Sequence, residues 1–370
     1  MNNLCVRSPL AGDILNRHDG TVSPQGLWVW VRGWAAEGAT VTVSCASGSA
    51  NVAPVPARRQ GAAFEAQVAL LGRHNTITVT AGEDKVAVPV LWDMDSQPRY
   101  RFSIDDNILF LKDIAGSSYR SIFEHWYLAF WRDIHRKYGT AVHINIYYQT
   151  DDSVLGQGHF QLSQMPALFK GEWQANSDWL RLTFHAWQNK PDRPYKDAGY
   201  DKMAHDYEAV TGEIRRFAGE ESLSSFTTVH WAEATRAGVQ ALRDRGVKGL
   251  IGLFDQRQFT PHTRYYLDEA TADHVGKRDY WWDPGLDVIF VSCDAVVNSY
   301  GMDEVVPRLE QVGTSAHTAE VIELLIHEQY FRRELPNYQP DVQEKVVRAV
   351  EWVTRRGYKP VFWGDGFIGA

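Results

Sequence analysis

The chain of 370 residues has few cysteines, no surplus of positive charge and no long apolar run. Cys5, Cys45 and Cys293 lie far apart, which excludes a disulfide scaffold and a thiolate metal site and suits a reducing compartment. A net charge of −8 argues against nucleic acid or an anionic membrane as partner, because either needs a basic face. No segment approaches the ~18 apolar residues of a membrane span.

The length and composition are those of a globular protein with a full core. Hydrophobic residues make up 44% of the chain and charged residues 23%, and 370 residues suit two domains. The first ten residues lack the basic and apolar regions of a secretory signal, so the sequence as written predicts a cytoplasmic protein. A secreted protein whose signal had been removed would look the same. The sequence fixes no oligomeric state.

The first 93 residues alternate apolar and polar side chains over short runs separated by Gly, Ser, Pro and Asn. The runs are 27–34, 39–44, 63–68 and 75–80. This spacing predicts an all-β accessory domain, an immunoglobulin-like sandwich over residues 1–93. Trp28, Trp30 and Trp34 are expected in its core or packed against the next domain, and a ligand platform is the alternative.

Beyond a linker at residues 93–98, strand-like runs alternate with amphipathic segments. The predicted strands are 102–106, 142–148, 180–185, 226–230, 249–254, 288–293, 321–327 and 360–363. The predicted helices are 117–138, 163–175, 200–217, 232–245, 302–311 and 340–356. Seven or eight β/α repeats predict a parallel sheet that closes into a (β/α) barrel over residues 99–370. The expected fold class is therefore multidomain, with an all-β sandwich followed by an α/β (β/α)7–8 barrel.

The predicted strands end in acids and histidines, and ligands of such barrels bind at the carboxyl ends of the strands. The residues at or just after these ends are Asp105, Asp106, His185, His230, Asp255, Asp294, His327 and Glu328. A bowl of carboxylates and imidazoles repels itself unless it holds a cation or a substrate, so the pattern favours a catalytic or metal site. An exposed turn at residues 105–107 is the alternative, since Asp-Asp-Asn is common in turns.

One carboxylate and two imidazoles form an open metal site whose remaining positions are left to water or substrate. We expect Asp106, His185 and His230 to hold a divalent cation, with zinc as the first expectation. Asp105 is expected beside them as the general base.

Two residues at the end of the strand 321–327 are candidates for proton transfer. His327 is expected to donate a proton to the leaving group. Glu328 is expected either to orient His327 or to act as an acid itself, and alternation alone does not decide which side chain of the pair points inward.

Three segments resemble the motifs of the polysaccharide deacetylase family. Residues 102–107, Phe-Ser-Ile-Asp-Asp-Asn, resemble its T/S-F-D-D-G motif, which implies a base at Asp105 and a metal ligand at Asp106. Residues 185–189, His-Ala-Trp-Gln-Asn, are similar to its H-S-x-x-H motif, with Asn189 in place of the second histidine. Ile326-His327 is similar to its late strand that ends in a leaving-group histidine. The resemblance covers roughly residues 99–363 and implies a distorted seven-stranded barrel and a carbohydrate substrate.

Five further residues are expected to contact the substrate. Trp187 and Asn189 follow His185 on one loop, Asp255 and Arg257 follow the strand 249–254, and Asp294 follows the strand 288–293. Trp187 is alternatively a packing residue, and Arg257 alternatively pairs with Asp255.

The sequence leaves three functions open. The first is a metal-dependent hydrolase that deacetylates an acylated amino sugar or oligosaccharide. The second is a glycoside hydrolase or lyase on the same barrel that uses Asp105 and Glu328 without an essential metal. The third is a non-catalytic sugar-binding protein, which would have no need of adjacent carboxylates.

Overall fold

The computed structural model describes residues 4–151, 158–254 and 263–369, and the chain divides into two compact units. The first unit comprises Met1–Ser96 and Tyr280–Ile289, and the second Gln97–Asp279 and Phe290–Ala370. Together they make a mixed α/β protein. In the described part of the chain, no helix combines the length and the apolar character that a membrane crossing needs.

The first unit is built from two five-stranded sheets. Its strands are β1 Cys5–Ser8, β2 Ile14–Leu15, β3 Gly20–Ser23, β4 Gly26–Trp34, β5 Val41–Ser47, β6 Ala50–Pro56, β7 Arg58–Gln60, β8 Ala63–Leu70, β9 His74–Ala81 and β10 Asp84–Trp92. One sheet has the order β1-β4-β8-β7 with β3 beside β4, and the other the order β2-β10-β9-β5-β6. The strands pair antiparallel except for the parallel pair β2–β10.

Alternation along β4 explains how this unit forms a core. Leu27, Val29 and Val31 are buried in a cluster that contains side chains of both sheets. The intervening Trp28 and Trp30 are half-buried and lie on the opposite face, since successive side chains of a strand alternate. The core position considered for these tryptophans is therefore wrong, and the immunoglobulin-like topology stays a prediction.

The strands of the second unit are parallel in its larger sheet, as the β/α pattern predicts. The strands along the chain are β11 Arg99–Asn107, β12 Val142–Tyr147, β13 Leu180–Ala186, β14 Phe226–Thr227, β15 Gly249–Gly252, β16 Tyr280–Asp283, β17 Val288–Ser292, β18 Ala295–Val296, β19 Val321–His327 and β20 Lys359–Pro360, of which β16 is counted with the first unit. The larger sheet has the order β13-β12-β11-β19-β18, with β20 beside β11. A second sheet contains β14, β15 and β17 in that order. Closure of the strands into a barrel stays a prediction.

Eight α-helices occur in the described residues. They are α1 Leu109–Ala115, α2 Trp126–Tyr138, α3 Lys170–Ala175, α4 Tyr200–Phe217, α5 Arg236–Arg243, α6 Glu269–Val275, α7 Val305–Val312 and α8 Val342–Arg355. α4 has the predicted bounds, and α2 ends at Gly139 with a left-handed φ of 74°, as its Tyr-Gly signal predicts. β11, β12 and β19 are buried almost throughout, as is usual for the strands of a parallel sheet.

Several predicted bounds are wrong for local reasons. The helix expected over 163–175 is confined to α3, because Pro166 lacks a backbone N–H and interrupts the segment. α1 was missed, and the helix expected from residue 117 begins at Trp126. The strand expected over 226–230 ends at Thr227, and His230 begins a 3₁₀ turn with Trp231 at a φ of 65°.

A polar cluster lies inside the second unit, between β11 and its neighbours. Arg101 Nε and Nη2 donate to Glu323 at 2.9 and 2.8 Å, and both side chains are fully buried. Ser103 and Trp363 also donate to Glu323, and Arg101 Nη1 contacts His143 Nδ1. Burial lowers the pKa of His143 well below its ordinary value, and the charge of Arg101 adds to this effect.

Candidate functional site

A β-bulge in β11 presents two adjacent carboxylates at the end of this central strand. The register with β12 shifts between Ile104 and Asn107, and Asp106 has a left-handed φ of 62°. A regular strand would send Asp105 and Asp106 to opposite faces, whereas both line one cavity here. Left-handed backbone is unfavourable for a residue with a Cβ, so the surrounding contacts must hold it in place.

Asn107 supplies those contacts. Its Nδ2 donates to the carbonyl oxygens of Ile104, Asp105 and Asn145 at 2.8, 3.0 and 3.1 Å. The hydroxyl of Tyr127 donates to its Oδ1 at 3.1 Å, and the Asn107 side chain is fully buried. Asparagine at this position therefore ties the bulge together.

The structure brings together the three residues that the sequence assigned to a metal. Asp106 Oδ1 lies 3.1 Å from His185 Nε2 and 3.4 Å from His230 Nδ1. The two histidine nitrogens are 3.1 Å apart, and the possible ligand atoms of all three residues lie within 4.8 Å of one another. The separation is that of a single coordination sphere.

Backbone carbonyls fix which nitrogen of each imidazole carries the proton. His185 Nδ1 donates to the carbonyl oxygen of Thr228 at 2.5 Å, and His230 Nε2 donates to that of Asn189 at 3.1 Å. Burial lowers the pKa of His185, which favours its neutral form. A neutral imidazole that donates from one nitrogen has a lone pair on the other, so two lone pairs point at the carboxylate oxygen of Asp106.

Two further residues contact Asp106. Tyr147 donates its hydroxyl to Asp106 Oδ1, and this hydroxyl also lies 3.1 Å from His230 Nδ1. Gln329 Nε2 donates to Asp106 Oδ2 at 2.8 Å. Burial alone would raise the pKa of Asp106, but its close contacts with His185 and His230 outweigh burial and hold the pKa well below its ordinary value. Asp106 is therefore an anion in this site.

Asp105 has the opposite electrostatics. Burial and the adjacent charge of Asp106 hold the pKa of Asp105 well above its ordinary value, although the hydrogen bond from Asn145 opposes them. Asn145 Nδ2 donates to Asp105 Oδ1 at 2.5 Å. Asn145 is itself fixed, because its Oδ1 accepts from the backbone N–H of Thr228 at 3.2 Å. The pKa values of the two adjacent acids are thus shifted in opposite directions.

His327 lines the same cavity as Asp105 and Asp106. Asn298 Oδ1 lies 2.9 Å from His327 Nδ1 and accepts a hydrogen bond from it, so the other ring nitrogen, Nε2, is the one that can exchange a proton. Burial lowers the pKa of His327, against the opposing charge of Asp106.

The structure does not bring Glu328 to this cavity. Its carboxylate is fully buried and accepts the backbone N–H groups of Ile108, Leu109 and Phe110 at 2.9, 3.0 and 2.8 Å. Arg332 donates to the same carboxylate at 3.0 and 2.6 Å. Glu328 therefore caps the start of α1 and forms a buried ion pair with Arg332. This structural role explains why a charged residue is buried here, with no need for a role in proton transfer.

The expected substrate contacts are placed differently from one another. Asn189 lines the cavity, whereas the ring of Trp187 stacks between Tyr148 and His205 at centroid distances of 4.2 and 5.5 Å. Asp294 lies on another cavity, where its Oδ2 accepts the backbone N–H of Glu323 at 2.8 Å. Asp255 and Arg257 lie outside the described residues.

The cavity has a volume of about 490 Å³, and most of the residues that line it are polar. Lys190, Asp192, Asn298 and Tyr330 line it together with the carboxylates and imidazoles. Trp231, which the strand-end pattern did not select, also lines it and is 39% exposed.

A smaller cavity of about 250 Å³ shares Asp106 and Asn189 with the first. Its other side is apolar and includes Ile108, Leu109 and Leu335. The anionic Asp106 therefore lines both cavities.

No protein-family model matches the chain, and no curated protein matches it. Among solved structures, a carbohydrate acetylesterase from Xanthomonas citri aligns over 72% of this chain and 72% of its own, with 13% identity and a TM-score of 0.19. A type III pullulan hydrolase from Thermococcus kodakarensis aligns over 90% and 86%, with 12% identity and a TM-score of 0.33. An engineered protein aligns over 25% of this chain and 20% of its own, with 19% identity and a TM-score of 0.19. These likenesses define no family, so the function has to come from the chemistry of the site.

Proposed function

We propose that the protein is a metal-dependent hydrolase that removes an acyl group from a carbohydrate, such as an acylated amino sugar or oligosaccharide. The observation that carries the proposal is the convergence of two imidazole lone pairs on the carboxylate of Asp106. Three electron-rich atoms so close together repel one another unless a cation lies among them.

The residues present fit a divalent cation. One carboxylate and two neutral imidazoles are a common donor set for such an ion, and Asp106, His185 and His230 would hold it. The hydrogen bonds from both imidazoles to backbone carbonyls are the outer contacts that orient histidine ligands. A bound divalent ion polarises a carbonyl oxygen and lowers the pKa of water.

Asp105 and His327 would carry the protons. Asp105 is held by Asn145 at the rim of the same cavity and would accept a proton from the attacking water. His327, oriented by Asn298, would donate a proton to the departing sugar oxygen or nitrogen. Water would form a bond to the acyl carbon, and the bond from that carbon to the sugar oxygen or nitrogen would break, which yields a carboxylic acid and a free sugar. Asp105 gains one proton and His327 loses one, so the protons also balance.

The two cavities that meet at Asp106 suit the two halves of an acylated sugar. The exposed ring of Trp231 offers a flat apolar face for the C–H groups of a sugar, and the polar rim offers hydrogen bonds to its hydroxyls. Leu109 and Leu335 line the adjoining space, which would take the apolar end of an acyl group. A glycoside hydrolase built on Asp105 and Glu328 is disfavoured, because the carboxylate of Glu328 is committed to α1 and Arg332.

The test combines elemental analysis with an activity screen on acetylated and unacetylated oligosaccharides. We expect a single tightly held divalent ion per chain, acetate release from the acetylated substrates, and loss of activity in chelator. Asp106→Ala and His185→Ala should lose metal and activity together. His205→Gln is the matched control, because the His205 side chain is 70% exposed, and it should keep both.

Three outcomes would contradict the proposal. Metal retained at full stoichiometry in both Asp106→Ala and His185→Ala would refute the ligand set. Unchanged turnover in chelator, or cleavage of unacetylated oligosaccharides into shorter ones, would refute the reaction.

A further inference from the structure

A second cleft lies in the first unit, on the sheet with the order β1-β4-β8-β7, and has a volume of about 530 Å³. Four of the seven Lys and Arg residues within residues 1–96 line it, namely Arg7, Arg32, Arg58 and Arg59. The same stretch contains eight Asp and Glu residues, and Glu65 is the one that lines the cleft. Positive charge is therefore concentrated at one place on an acidic chain.

Strand register places Arg32, Glu65 and Arg58 on one face of the sheet. Arg32 of β4 is opposite Glu65 of β8, and Glu65 is opposite Arg58 of β7. In the next row Trp34 is opposite Ala63. Residues directly opposite each other in an antiparallel ladder share a face, so charged side chains and an indole line the cleft beside a small alanine.

Arg59 stabilises the cleft and does not offer its charge to a ligand. Its Nη1 donates to the carbonyl oxygen of Ala39 at 3.0 Å, and its Nη2 donates to those of Ala36 and Gly61, both at 3.0 Å. These contacts hold the neighbouring loops together.

The remaining arginines differ in their partners. Arg32 Nε lies 3.5 Å from a carboxylate oxygen of Glu65, so this pair is largely neutral. Arg7 lies over the ring of Trp34, with its guanidinium carbon 4.4 Å from the ring centroid. Arg58 is exposed, and no ion pair joins it to another residue of the described chain. Trp34 is 43% exposed, although it is a large apolar side chain.

We propose that this cleft binds an acidic oligosaccharide, with carboxylates of the sugar on Arg7 and Arg58 and a sugar ring against Trp34. The planar guanidinium group matches a carboxylate with two parallel hydrogen bonds. The indole presents a flat face to the C–H groups of a sugar. β8 separates the strands of Arg58 and Trp34, which are therefore roughly 10 Å apart, a span that requires several linked sugars.

Single-stranded nucleic acid also pairs with arginine and stacks on aromatic rings. Domains that bind it are strongly basic, with a pI above about 9, whereas this chain has a pI of about 5.9. Residues 1–96 are no exception, because seven acids and only three basic residues lie outside the cleft. Charge on one small cleft fits a ligand that carries few, widely spaced carboxylates.

The binding is independent of the proposed hydrolysis, because it is measured at equilibrium without turnover. The experiment is calorimetric titration of the full chain with hexagalacturonate, cellohexaose and a six-residue oligothymidylate. We expect hexagalacturonate to bind about tenfold or more tighter than cellohexaose, the factor that one charge-assisted hydrogen bond confers. Arg58→Gln and Trp34→Ala should each weaken that binding by a similar factor.

Lys85→Gln is the matched control, because it removes one exposed positive charge on β10, which belongs to the other sheet. It should bind hexagalacturonate as the unaltered protein does. Equal binding of the charged and neutral hexamers, tighter binding of the oligothymidylate, or unchanged affinity in Arg58→Gln would overturn the proposal. Arg58→Gln decides the matter if Trp34→Ala does not fold, since Arg58 is exposed and its removal opens no cavity.

Discussion

Glu328 is the residue for which the sequence and the structure suggest different roles, and Glu328→Gln separates them. The substitution keeps the size of the side chain and removes its charge. In the structure the carboxylate accepts three backbone N–H groups at the start of α1 and two N–H groups of Arg332. An amide in its place can accept only through one oxygen, and its NH₂ group would face donors.

The expected cost follows from the burial of the pair. Removing one partner of a buried ion pair destabilises a protein by roughly 3–5 kcal/mol, because it leaves a buried charge without a partner. Asp113 still pairs with Arg332 at 2.6 Å, which places the expected loss near the lower end, about 3 kcal/mol. Glu334 is 3.4 Å from the same guanidinium but is 62% exposed, so Glu334→Gln should cost at most about 1 kcal/mol.

Urea unfolding monitored by far-UV circular dichroism measures both variants, and acetate release measures the activity of the folded protein. We expect a large fall in the unfolding midpoint for Glu328→Gln, with turnover per folded molecule within a few-fold of the unaltered protein. A variant as stable as the unaltered protein but inactive would show that Glu328 takes part in the reaction. Equal destabilisation by Glu334→Gln would show that burial does not set the cost.

Three further predictions follow from single contacts. Burial beside Arg101 lowers the folded pKa of His143. The contribution of His143 to stability is therefore complete above the unfolded pKa of about 6.5, and it falls by up to about 1.4 kcal/mol per pH unit below that value. His143→Gln should reduce this slope between pH 7 and pH 5 in urea titrations. Asn107→Asp replaces an amide that donates three hydrogen bonds by a carboxylate that faces three carbonyl oxygens, and it should lower the free energy of unfolding by about 3 kcal/mol. The loss should appear as a lower Tm, and an unchanged Tm would mean that the bulge does not depend on this amide. Asn298→Ala leaves His327 without its partner and should lower kcat about tenfold or more while metal content stays constant, and loss of metal instead would contradict a positioning role.

Most of the candidate site could be predicted from one rule: the carboxyl ends of parallel strands lie at the same edge of a sheet. It selected Asp106, His185 and His230, which lie far apart in the chain and close together in the structure. It succeeded because β11 and β13 run to the residues expected, so their register could be inferred from apolar runs. Tyr147 ends β12 by the same rule but was missed, because acids and histidines alone were considered.

The failures have local causes that apolar patterning does not encode. Asp294 was taken as a strand end, but the chain continues into β18 and reaches the cavity only from Val296 onward. Glu328 follows β19 into a 3₁₀ turn, where alternation no longer tells which way a side chain points. The left-handed bulge at Asp106 is held by Asn107, which also donates a hydrogen bond to the carbonyl oxygen of Asn145 on β12, and this distant contact could not be inferred from neighbouring residues.

The left-handed backbone of Asp106 has a consequence for how related chains could be read. Such a conformation costs a residue with a side chain on the order of 1–3 kcal/mol, and glycine adopts it freely. A descendant that no longer needs the carboxylate would gain stability by replacing it with glycine while the rest of the strand stayed as it is. Position 106 would then separate, in any set of homologous genes, copies that retain chemistry from copies that retain only the scaffold.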